Sequence, residues 1–113
     1  MPIPDKARLL HILEAIDYID QFLVDKTKQD LYDNALLRFA IERQLEIIGE
    51  ATNHLSALLK EQYPSIDWRK VAAFRNFIVH EYFGVDLDLV WSITQSNIPP
   101  LKLTVERMLS SMS

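Results

Sequence analysis

Five polar side chains fall within the segment Arg75-Asn76-Phe77-Ile78-Val79-His80-Glu81-Tyr82, and three of them, Arg75, Asn76 and His80, suit cleavage of RNA by its own 2′-hydroxyl. A histidine titrating near neutrality can take the 2′ proton or donate one to the leaving oxygen. Arg75 can brace the phosphate and stabilise charge as the pentavalent species forms. Asn76 can orient the phosphate or hold the imidazole. If the segment is one α-helix, Asn76 and His80 project from nearly the same face. Arg75 and His80 then differ by about 140° around the axis and about 7.5 Å along it. The helix alone does not preassemble that pair. Two copies facing each other across a twofold axis would let each arginine meet a histidine of either chain, so the site would exist only in a homodimer. On spacing alone, the same residues also make an ordinary capping and salt-bridge group near a helix end.

The other histidines offer less. His11, between Leu10 and Ile12, reads as a packing or surface residue. His54 follows Glu50 by four positions and shares its helical face. Two ligands could come from that pair, but no second pair completes a shell. There is no cysteine, so thiolate sites and disulfides are excluded. The expectation is no metal and no cofactor held by the chain itself.

The residues around these candidates bound the partners. The chain has 16 acidic and 12 basic residues and a net charge of -4, and an unpatterned acidic surface repels phosphate backbones. RNA binding therefore needs a local basic cluster, for which Arg69 and Lys70, near Arg75, are the candidates. A length of 113 residues, 49% hydrophobic and 25% charged, suits one domain over 1–113 with a real core. The stretch from Met1 to Lys6 lacks the apolar run of a signal peptide, and no window approaches a membrane span. A cytoplasmic protein without membrane contact is expected.

Apolar periodicity divides the chain into helices. Leu9, Ile12, Leu13, Ile16, Ile19, Phe22 and Leu23 form one stripe over about 5–23, followed by a turn at 25–30. A long helix over about 30–61 carries Leu37, Ala40, Ile41, Leu45, Ile48, Ala51, Leu55 and Leu59. Gly49 in its middle costs about 1 kcal/mol relative to alanine, which either a close approach by another helix or plain tolerance would explain. Pro64 ends this helix. Asp67 is placed as an N-cap for a helix over about 68–80, with Ile66 and Val71 spaced as a hydrophobic staple. Gly84 is suited to ending that helix. Asp86 caps another over about 86–96, and Pro99-Pro100 suit a fresh start for the last. The fold class is all-α: a bundle of about five helices, two long and antiparallel with shorter ones packed across them.

The pattern Arg-x-x-x-x-His-x-Tyr, realised as Arg75, His80 and Tyr82, resembles the signature of the HepT toxins of the HEPN superfamily. Asn76 matches the polar position of the looser superfamily pattern. The stretches 45–51, 63–71 and 82–86 and the terminal helices are also similar to HepT, so the resemblance covers most of the chain. It implies a helical, homodimeric, metal-independent endoribonuclease with Arg75 and His80 as catalytic residues and Asn76 in support. It further implies a type VII-like toxin–antitoxin pair. The partner would be an MntA-type minimal nucleotidyltransferase, which uses ATP to transfer AMP onto the position of Tyr82. HEPN-like chains also serve as non-catalytic, nucleotide-binding or scaffold partners of nucleotidyltransferases, and the acidic net charge fits that alternative.

Overall fold

The computed structural model describes residues 3–77 and 86–112. Among the described residues all regular structure is helical. Helix α1, Asp5–Phe22, buries Leu9, Ile12, Ala15, Ile16 and Ile19 along the stripe expected for it. Its main partner is α3, Ala35–Asn53, which presents Leu37, Ile41, Leu45, Ile48 and Ala51. The two run antiparallel, because Asp5 at the start of α1 accepts hydrogen bonds from the backbone N–H (3.0 Å) and hydroxyl (2.7 Å) of Ser56, just past the end of α3. The terminal helix α7, Ile98–Ser111, closes the core with Ile98, Leu101, Val105 and Met108, and its Lys102 reaches Asp20 of α1 at 3.3 Å.

The expected helix over 30–61 is three helices. Helix α2, Lys28–Asp33, starts earlier than expected at a capping box. There the Thr27 N–H donates to Asp30 Oδ2 at 2.7 Å and the Asp30 N–H to Thr27 Oγ1 at 3.3 Å. Asn34 then adopts an extended backbone (φ -118°, ψ 100°), and its side chain accepts the Leu37 N–H at 3.1 Å to begin α3. After α3, extended Ser56 caps α4, Ala57–Glu61. A cap satisfies a backbone donor that the new helix would otherwise leave orphaned and is worth about 1 kcal/mol. Periodicity hides the second break, because Leu55 before Ser56 and Leu59 after it both continue the apolar stripe onto the core.

Asp67 caps α5, Trp68–Ala72, by accepting the Lys70 N–H at 3.1 Å. Ile66 and Val71 both pack on the core. The helix tightens directly into a 3₁₀ turn, Ala73–Phe77, where a continuous α-helix was expected. After the undescribed 78–85, Asp86 caps α6, Leu87–Ser92, by accepting the Leu89 N–H. No break follows at the prolines. A π-helical turn, Ile93–Asn97, carries α6 into α7. Pro99 and Pro100 offer no N–H to the preceding turn, so a widened turn there sacrifices little. The short α2 is tied to α6 through Asp88, which takes Lys28 Nζ at 2.8 Å and the Tyr32 hydroxyl at 2.6 Å. Those bonds, Lys28 first, hold the Asp88 carboxyl below its ordinary range, and the bond to Asp88 pushes the Tyr32 phenol up. Among the described residues no helix is long and apolar enough to cross a membrane.

Candidate functional site

Gly49 decides where Arg75 sits. A Cβ at this position of α3 would lie 2.5 Å from the Arg75 backbone nitrogen and 2.9 Å from the Ala72 carbonyl oxygen. Both are backbone atoms, which no rotamer change can withdraw. The glycine is therefore required by the close approach of the 3₁₀ turn, and simple tolerance is ruled out. Phe74, 2% exposed, anchors the same turn in the core. Backbone contact on one side and a buried aromatic on the other fix the root of the arginine.

The Arg75 side chain stays partly open, at 41% exposure, and its Nη1 donates to Glu50 Oε2 at 3.5 Å. The other Glu50 oxygen forms a 3.0 Å hydrogen bond with His54 Nε2. The bond with His54 holds the Glu50 carboxyl below its ordinary range against desolvation, with a lesser contribution from the charge of Arg75. Glu50 and His54, one turn apart on α3, thus form a bridge to Arg75 on α3's close neighbour. Among the described residues no group of three or more His, Cys, Asp or Glu side chains is arranged to hold a metal ion.

Arg75 and exposed Asn76 lie at a solvent-facing cleft of about 400 Å³. Asn53 from the end of α3, Lys60 from α4, and Trp68 and Arg69 from α5 complete its polar and aromatic lining, with Ala72 and Ala73 between them. No carboxylate is in that lining. Of the two residues expected to reach RNA beside Arg75, Arg69 is brought to the cleft and Lys70 is not. Lys70 lines a separate groove with Asp67, Ser96 and Asn97, because successive α-helical residues diverge by about 100°. Lys60, Asn53 and Trp68 were absent from the sequence-based set; they belong to it through the turn that folds α4 back toward α5. A Trp-Arg-Lys run after a proline-marked turn was the available signal, and it says nothing of Lys60. His80 and Tyr82 lie outside the described residues.

A family model described as "Ribonuclease HepT-like" matches residues 12–108. The "Probable ribonuclease HepT" of Thermococcus cleftensis is 37% identical over 103 residues, covering 91% of this chain and 94% of that protein. "Putative RNase MJ1380" of Methanocaldococcus jannaschii is 36% identical over 101 residues, 89% of this chain and 93% of its own. A third relative, "Gamma-glutamylcyclotransferase and putative RNase MJ0434" of the same organism, is 37% identical over 107 residues, 95% of this chain. The chain spans about half of that longer protein, 48%. No solved structure matches the chain.

Proposed function

Because the chain belongs to the HepT-like ribonuclease family, we propose that it is the endoribonuclease toxin of a type VII-like toxin–antitoxin pair, completed as a homodimer and neutralised by AMP transfer onto Tyr82. The observation that supports this most is Arg75 itself, fixed at its root by the Gly49 contact and open at the tip of its side chain beside an electropositive cleft. His80 takes the proton of the 2′-hydroxyl, and the 2′-oxygen attacks the adjacent phosphorus. The bond to the 5′-oxygen breaks, and that oxygen leaves with a proton. The products are a 2′,3′-cyclic phosphate and a 5′-hydroxyl, and no metal takes part. Arg75 carries the charge that accumulates on the phosphoryl oxygens, with Asn76 orienting them. Glu50 holds the guanidinium until a phosphate replaces it as the nearest anion.

Neutralisation uses the partner's ATP. In this reading the Tyr82 hydroxyl oxygen attacks the α-phosphorus and pyrophosphate leaves, with an MntA-type nucleotidyltransferase as catalyst. The added phosphate charge and base obstruct an RNA backbone and compete for Arg75. The Glu50–Arg75 pair also fits a second reading, a non-catalytic scaffold for a nucleotidyltransferase, in which the arginine keeps its carboxylate partner.

Growth curves separate the two. Expression of the parent arrests growth while His80→Ala and Arg75→Ala do not. Co-expression of an MntA-type nucleotidyltransferase restores growth to the parent, with an intact-mass increment of AMP that Tyr82→Phe abolishes. Equal growth of parent and His80→Ala cells, with no AMP increment, would leave the scaffold reading.

A further inference from the structure

We propose that the cleft formed by Asn53, Lys60, Trp68, Arg69, Arg75 and Asn76 is a subsite for the single-stranded RNA nucleotide next to the scissile phosphate. Lys60 and Arg69 take its phosphate, and the Trp68 indole packs against its base. The inference rests on the ribonuclease reading only for which phosphate lies beside Arg75; the binding itself stands on the cleft.

Charge is the first argument. The chain carries a net -4, yet this lining holds three cations and no carboxylate. The grooves on either side are mixed: Arg8, His11 and Arg43 face Glu46 and Glu50 in one, and Lys70 faces Asp67 in the other. Among the described residues Lys60 and Arg69 form no ion pair. Lys60 Nζ reaches only the Thr52 carbonyl at 3.4 Å, a neutral acceptor that leaves its charge uncompensated. Free cations lining one concavity of an acidic protein fit a polyanion.

Shape and the indole narrow the ligand. A volume of about 400 Å³ falls in the ~300–1,000 Å³ range of small-ligand sites, enough for a nucleotide and too small for a duplex. Trp68 is half-buried, and its Nε1–H donates to the Tyr63 carbonyl at 3.0 Å. That bond satisfies the ring's single donor, so what the indole offers the cleft is apolar aromatic surface. Such a platform with flanking cations is how proteins hold unpaired bases without reading their sequence. Asn53 and Asn76 add amides for sugar or phosphate oxygens.

The test uses the full-length protein and a fluorescent, fully 2′-O-methylated single-stranded RNA, which lacks the attacking hydroxyl and so reports binding without chemistry. Anisotropy titrations over a range of salt compare the parent with Lys60→Gln/Arg69→Gln and with Lys102→Gln, a control that removes one charge from α7. The double variant is expected to lose about tenfold or more in affinity and about 0.7 units of salt slope, the contribution of the one phosphate that the two cations share. Lys102→Gln should bind as the parent does. Because Trp68→Leu also removes the bond to Tyr63 and packing against the core, the indole is read directly. In a Trp91→Phe background the oligonucleotide should quench the remaining Trp68 emission. Parent-like affinity and salt slope in the double variant, or unquenched Trp68, would overturn the subsite. Free AMP competing as tightly as the oligonucleotide would make the cleft a mononucleotide site and equally overturn it. Binding that passes these tests in a protein inert toward unmodified RNA would contradict the ribonuclease reading alone.

Discussion

Two concavities flank the Gly49–Glu50 step of α3, and they differ in one respect that matters. The groove between α1 and α3, about 170 Å³, gathers Arg8, His11 and Arg43, but Glu46 and Glu50 share its lining. Arg43 is paired with Glu46 at 2.8 Å. The cleft against α5 and the 3₁₀ turn gathers Lys60, Arg69 and Arg75 with no acid in its lining. Glu50 stands between them, lining the first groove and touching the arginine of the second. A net charge of the whole chain therefore says little about either place. What a phosphate meets is set by which side of one helix the carboxylates occupy.

The largest effect should come from closing the step that separates the two. Gly49→Ala gains up to about 1 kcal/mol of helix propensity, but its Cβ meets backbone at 2.5 and 2.9 Å, and overpacking of that kind costs about 1–3 kcal/mol. Urea unfolding should show a net loss of about 1–2 kcal/mol, and the surviving fold should have a displaced Arg75 and impaired cleavage. Next is reversal of charge in each concavity. Arg69→Glu should lower kcat/KM on RNA about tenfold at low salt through repulsion of the backbone. Arg43→Glu, in the mixed groove, should leave it within about twofold; equal losses would erase the distinction. Ser56→Ala removes the cap of the helix that carries Lys60, together with the hydroxyl bond to Asp5. It should cost about 1 kcal/mol in the same unfolding assay.

The smallest effect concerns Glu50. Its folded pKa is depressed, so its bonds contribute stability at pH values above the ordinary carboxylate pKa of 4.5. That contribution fades as the pH falls through the lowered value. Unfolding followed between pH 6 and 3 should show a slightly shallower acid loss in Glu50→Gln than in the parent. The difference should be small, because the side chain is half-exposed and water screens it.

Much of this was legible in the residues. The stripe of α1, the caps Asp67 and Asp86 and the all-α class follow from periodicity and side-chain chemistry. The breaks at Asn34 and Ser56 did not, since Leu37, Leu55 and Leu59 keep one apolar rhythm across them and a cap competes with that rhythm only in three dimensions. Gly49 announced an oddity, but not that the neighbour was the backbone of Arg75. At the cleft, adjacency in sequence misled: Arg69 and Lys70 part company around α5, while Lys60, distant along the chain, comes in. Electrostatic character is a property of a surface, and a surface is assembled from separate turns.

The most direct measurement is cleavage of bulk transfer RNA in EDTA by the parent, Arg75→Ala and His80→Ala, with intact mass recorded first so that any AMP on Tyr82 is known. Cleavage by the unmodified parent alone, leaving 2′,3′-cyclic phosphate ends, is the predicted result. Cleavage that persists in both variants, or an unmodified parent inert toward several RNAs, would contradict a ribonuclease centred on Arg75 and His80.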